Sequence, residues 1–203
     1  GHPDYVSAQK LLASLTKGTS ASDTPLAGPG GEASSPAGEA SSPAARENEP
    51  ARLRDAAEKA LAEKRYIDAL KNFNLAAAVF SSDPDFAKAR ALATEKVTEL
   101  TPAVKLYNEG EYETAIPVLW RMHSEDRENQ DARSYLLRAY YNQGVTQLQN
   151  GLYEKAQTSF GEAAALDPND TEAARHRKFA GRYGKRDLDL MGRIYVRHIQ
   201  TRP

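Results

Sequence analysis

The chain has 203 residues, with 27 Lys and Arg against 28 Asp and Glu, a formal net charge of -1, and no cysteine. Near-neutral charge argues against nucleic acid or an anionic membrane as partner of the whole chain, and the lack of thiols removes disulfides, thiolate zinc sites and cysteine nucleophiles together. With 40% hydrophobic residues and a mean hydropathy of -0.67, no large single core is expected, and no apolar run reaches the ~18 residues of a membrane span.

Residues 1–17 space Tyr5, Ala8, Leu11, Leu12 and Leu15 at helical intervals, which predicts a short amphipathic helix. Such a helix must dock, either on the main domain or as the tail of a repeat upstream. Its opening, GHPDYVSAQK, lacks the basic start and apolar stretch of a signal peptide. Residues 18–50 form a Pro/Ala/Gly/Ser-rich segment in which GEASSPA occurs twice in tandem, at 31–37 and 38–44. Almost no large side chain there offsets the entropy of ordering, so a disordered linker is expected. From 51 to 203 good helix formers dominate, with no sustained two-residue alternation.

Within 51–203 three segments align: KRYIDALKNFNLAA from Lys64, GEYETAIPVLWRM from Gly110 and GLYEKAQTSFGEAA from Gly151. Each carries a tyrosine, then an alanine three on, a bulky apolar residue four further and a small or flexible residue three beyond. These are Tyr66, Ala69, Phe73, Ala76; Tyr112, Ala115, Leu119, Met122; and Tyr153, Ala156, Phe160, Ala163. Steps of three and four hold one helical face together, the alanines admit a neighbouring helix, and the bulky residues fill the space beside them.

On these residues the chain resembles the tetratricopeptide repeat family, a 34-residue helix-turn-helix unit. Counting Leu137 as position 1 puts Tyr140 at 4, Gly144 at 8, Gly151 at 15, Tyr153 at 17, Ala156 at 20, Phe160 at 24, Ala163 at 27 and Pro168 at 32. Gln143 departs from the leucine usual at position 7, and Lys64 stands where glycine is usual. The resemblance implies an all-α helical-hairpin solenoid, a right-handed superhelix, with a C-terminal capping helix. Ala69 to Ala115 is 46 residues and Ala115 to Ala156 is 41, so 12 and 7 exceed the regular spacing. Both excesses precede a first helix and stay helical in pattern, which predicts first helices of about six turns. Pro102 should bend or interrupt the earlier one, Pro117 should sit near a helix start, Ser82-Asp83-Pro84 and Asp167-Pro168-Asn169-Asp170 should each end a unit, and Thr171 should cap the next helix.

The family resemblance places ligand contacts on first helices, at Arg138, Tyr141, Asn142, Val145, Leu148 and Gln149 of the last matched unit and at Arg175, His176, Phe179 and Arg182 of the next helix. Asn142 stands at position 6, where asparagine holds a peptide backbone or carboxylate. The preceding unit offers Leu100, Thr101 and Tyr107 where a complete carboxylate clamp would have lysine and asparagine. Residues 171–203 hold nine Lys and Arg against three Asp and Glu. Their basic character suits arginines coating a terminal cap better than a phosphate track, and Leu188, Met191, Ile194, Tyr195 and Ile199 form the cap's apolar stripe.

No constellation suggests catalysis. His2, His123, His176 and His198 lack metal-ligand spacing, Ser124, Ser134 and Ser159 lack a nucleophile elbow, and Glu111/Glu113 and Asp187/Asp189 diverge at i, i+2. Trp120 is expected to pack. The sequence therefore points to a non-enzymatic interaction or scaffold module without cofactor or metal, binding a protein or peptide; self-association in a larger structural or secretion-type machine is the alternative, and nucleic acid a distant third. The linker composition resembles that of bacterial envelope-associated or exported proteins.

Overall fold

The computed structural model describes residues 48–184 and 186–203. The expected helix at 1–17, and the expected linker at 18–50 except its last three residues, lie outside the described residues. Among the described residues there are eight helices and no strand: α1 (Glu49–Ala62), α2 (Tyr66–Phe80), α3 (Pro84–Asn108), α4 (Tyr112–Glu125), α5 (Gln130–Gln149), α6 (Tyr153–Leu166), α7 (Thr171–Tyr183) and α8 (Leu190–His198). Each helix from α1 to α7 packs on the next, and the first helices α1, α3 and α5 also touch in succession. This is an all-α helical-hairpin solenoid.

Three equivalent turns mark the repeat. Within each hairpin the chain reverses through a residue of positive φ, Lys64 (53°), Gly110 (81°) and Gly151 (75°). The following N–H donates to the carbonyl five residues back, Arg65 to Ala60, Glu111 to Leu106 and Leu152 to Gln147, at 2.8–2.9 Å. The left-handed residue itself donates three back, to Leu61, Tyr107 and Leu148. This pair of bonds satisfies carbonyls that a helix end leaves open. Glycine adopts the geometry without a Cβ penalty; Lys64 adopts it at a cost.

Between hairpins the reversal is made by a side chain. Asp83 accepts from Asp85 and Phe86 N–H, Asn129 from Ala132 N–H, and Asp170 from Ala173 N–H, so each caps the following first helix. Thr171, expected to cap α7, is instead its first residue; Asp170 precedes it with a carboxylate already aimed along the helix axis. The lengths of α3, α5 and α7 are 25, 20 and 13 residues. Their excesses over α7, 12 and 7, are those read from the repeat spacing, so the inserted residues lengthen helices rather than loops.

Pro102 does not interrupt α3, and Pro117 is not at the start of α4 but its sixth residue. Each removes the donor for the carbonyl four residues back, that of Thr98 or Glu113. Pro102, Thr98, Pro117 and Glu113 are all exposed, so water takes up the orphaned carbonyl and the helix continues.

The core follows the aligned columns. Ala69, Ala115 and Ala156 are fully buried, as are Phe73, Leu119 and Phe160, with Ala76 and Ala163 beside them. Burying each of the two phenylalanines contributes about 2–3 kcal/mol. At Gly144 an added Cβ would lie 2.9 Å from the Phe160 ring, so α5 and α6 approach more closely there than any side chain allows. Gln143, the departure from leucine, is answered by Ser159, whose Oγ lies 3.0 Å from Gln143 Oε1 and 2.8 Å from Gln147 Oε1. Trp120, expected to pack, is exposed on α4.

The apolar stripe of α8 divides. Tyr195 stacks on Phe179 of α7 at 4.1 Å and Ile199 is buried, while Met191 and Ile194 remain exposed. The nine residues of α8 are too few to cover α7 with a whole face, so the cap is completed by the chain beyond it.

Candidate peptide groove

Beyond α8 the backbone leaves the helix at Ile199 with φ -67° and ψ 137° and runs without helix through 203. It crosses the first helices α3, α5 and α7. Asn142 of α5 meets this segment with both ends of its amide: Nδ2 donates to the Arg202 carbonyl at 2.8 Å, and Oδ1 accepts from the Arg202 N–H at 2.7 Å. Tyr107 of α3 donates its hydroxyl to the same carbonyl at 2.7 Å. Asn142 Nδ2 also lies 3.0 Å from the Tyr107 hydroxyl oxygen, so one buried side chain from α3 and one from α5 converge on the Arg202 carbonyl. Gln149 Nε2 donates to the Ile199 carbonyl at 3.3 Å, and Arg138 Nη1 to the Pro203 carbonyl at 3.0 Å.

The Arg202 side chain is held separately. Its Nη1 and Nη2 donate to the two Asp170 oxygens at 2.5 and 2.9 Å, Nη2 also donates to Glu172 at 2.9 Å, and the guanidinium lies 3.6 Å over the Tyr141 ring. A planar fork meeting a carboxylate bidentately above an aromatic face discriminates arginine from lysine. Hydrogen bonds from Arg202 hold both the Asp170 and the Glu172 carboxyls below their ordinary range. Burial disfavours the Arg202 cation, but its bonds to Asp170 and Glu172 outweigh this and keep it charged. Burial raises the Tyr107 and Tyr141 hydroxyls to about 12, so both remain protonated donors at neutral pH.

Beneath Tyr141 lies His176 of α7. Its Nε2 is 2.9 Å from the Tyr141 hydroxyl, and its Nδ1 is bonded to the Tyr195 hydroxyl of α8. Burial lowers its pKa to about 4, so a neutral ring links α5, α7 and α8.

Of the ten residues expected to contact a partner, Arg138, Tyr141, Asn142 and Gln149 are brought together along this groove, and His176 lies buried beneath Tyr141. Arg175 is exposed at its edge, 3.6 Å from Glu172. Arg182 is exposed further along α7, and Phe179 is covered by Tyr195. Val145 and Leu148 belong to the core and offer no surface, because both are fully buried in the cluster that α5 forms with α6. Tyr107, noted in sequence only as a departure from a clamp, is a groove residue. Asp170 and Glu172 carried no sequence signal beyond a helix stop and surface charge, since their partner Arg202 is 30 or more residues away.

Among the described residues no helix is long and apolar enough to cross a membrane. The family model for the tetratricopeptide repeat matches residues 137–170, which begin within α5 and end on the cap Asp170. Searches of curated proteins and of solved structures returned no match. Residues 137–170 are thus similar to a tetratricopeptide repeat, a kind of unit that serves protein–protein interaction or scaffolding, and the turns, caps and buried columns of that helical pair recur along the described chain.

Proposed function

We propose that this chain is a non-enzymatic module that holds an extended segment of a partner protein, noncovalently, across α3, α5 and α7. The observation that carries the reading is the paired bonding of the Asn142 amide to the backbone N–H and carbonyl of Arg202. An amide so used recognises extended main chain whatever its side chains, and it is buried, so little entropy is lost on binding. Selection of a random peptide display library on the full chain and on Asn142→Ala tests it. Enrichment of peptides by the parent that the variant does not retain is expected; equal enrichment by both, or none by either, rejects the groove.

Self-association is favoured by a different feature, the exposed Leu190, Met191 and Ile194 of α8. Light scattering over a dilution series tests it, and a molar mass independent of concentration rejects it.

A further inference from the structure

The segment lying in the groove is the chain's own. We infer that residues 199–203 are an intramolecular occupant that closes the groove, and that the partner they displace is an extended segment of another protein bearing an arginine at the Arg202 place. This inference rests on the peptide-groove reading above and adds what is read and how access is controlled.

The contacts separate into two kinds. Those of Asn142, Tyr107, Gln149 and Arg138 go to main-chain atoms of Ile199, Arg202 and Pro203, and any extended chain would satisfy them. Only two side chains of the segment are engaged closely: Ile199, which is buried, and Arg202, which meets Asp170, Glu172 and Tyr141 together. Side-chain selectivity therefore resides at the arginine.

The acidic receptor is built into the repeat. Asp170 is fixed as the cap of α7, accepting from the Ala173 N–H at 2.9 Å, and Glu172 follows in the first helical turn. Their side chains are 8% and 47% exposed, so one is set in the wall and the other at the rim. The helix end disperses some of the negative charge, but two carboxylates beside a tyrosine face still select a cation with two parallel donors. Asp170 caps α7 through its own bond to the Ala173 N–H, which does not involve Arg202.

Tethering through α8 gives the segment a high local concentration, of millimolar order for a short connection. A partner must outcompete it, so its apparent affinity falls by the fraction of time the groove is open. Substituting Arg202 removes the selective contact while leaving Ile199 and α8 in place.

The test uses the full chain and fluorescein-labelled Ile-Gln-Thr-Arg-Pro, with a second peptide carrying alanine for arginine, read by fluorescence anisotropy. Circular dichroism establishes that each variant is folded, and Arg202→Lys, which keeps the charge without the fork, serves beside Arg202→Ala. We expect Arg202→Ala to bind the arginine peptide about tenfold or more tightly than the parent, with Arg202→Lys between them. We also expect the alanine peptide, and the double variant Arg202→Ala with Glu172→Gln, each to lose about tenfold. Equal binding by parent and Arg202→Ala would overturn closure, and equal binding of the two peptides would overturn arginine reading. If display selection yields Asn142-dependent peptides that lack arginine, this inference fails while the groove stands; if it yields none, both fail.

Discussion

Around α2 the interior is Tyr66, Ala69, Phe73, Ala76 and Phe86, with Phe73 meeting Phe86 edge-on at 5.2 Å. Around α6 the same columns recur as Ala156, Phe160 and Ala163, and Phe160 meets Tyr141 edge-on at 5.4 Å. There, however, Asn142, Ser159 and His176 are buried among them, whereas around α2 the buried residues are hydrophobic and the acid Asp131 sits at the N-terminal end of the helix as a cap. Stacking hairpins needs only small residues beside bulky ones, so polarity inside the second region is not required for the fold. A buried polar group without a partner costs about 1–3 kcal/mol. Every partner in the second region comes from tyrosines, neighbouring side chains or the 199–203 segment, and on the reading proposed above this is the end that would handle peptide backbone.

The comparison is broken most forcefully through its shared column. Phe73→Ala and Phe160→Ala should each cost about 3–5 kcal/mol in urea unfolding, because both rings are fully buried. Only Phe160→Ala should also weaken peptide binding, since its ring supports Tyr141 and His176; equal loss in both variants would deny the two regions separate roles.

Asn142→Ala comes next. It strips the Arg202 N–H and carbonyl of their shared amide partner, and it should lower stability by about 1–3 kcal/mol. Hydrogen exchange should accelerate at residues 199–203 while residues 66–76 stay protected. Uniform acceleration would mean that the segment is integral to the fold.

Titration separates the regions by sign. His176 has a folded pKa near 4, depressed by burial from 6.5, so its contribution is present above 6.5 and lost as pH falls toward 4. Asp131 of α5, which accepts from the Ile67 N–H at 3.0 Å and so caps α2 from another unit, is raised by burial to about 6. Its contribution is complete below 3.8 and is lost as pH rises through 6. Between pH 4 and 6 the two oppose each other, each on the order of 1–3 kcal/mol. Asp131→Asn should therefore stabilise the protein at pH 7 and steepen its loss on acidification, measured as Tm against pH; an unchanged profile would remove Asp131 from the account.

Lys64→Gly should have the smallest effect. It relieves the positive φ but removes the ammonium bridging Asp126 and Glu128 at 2.8 and 3.0 Å. These changes oppose, so Tm should move little; a large drop would show that the bridge, rather than the turn, secures the first hairpin to the second.

Much of this was legible along the chain because it is periodic. The alanine and phenylalanine columns repeat within single helices, and the excesses of 12 and 7 residues reappear as added helix length. Asn142 was legible through its place in a known repeat. Val145 shows the limit of such counting, because a place on the groove-side helix did not keep it from burial in the core. Pro102 and Pro117 show another: their cost depends on whether the orphaned carbonyl faces water, which the order of residues does not encode.

The sequence by itself determined the helices, their pairing and their lengths, because small and bulky residues at steps of three and four act within one turn of helix. Only the tertiary structure decided what fills the groove. Arg202 meets Asn142 across 60 positions and Asp170 across 32, and such contacts leave no local pattern. They exist because stacking brings α3, α5 and α7 side by side, and because α8 turns the chain back across them.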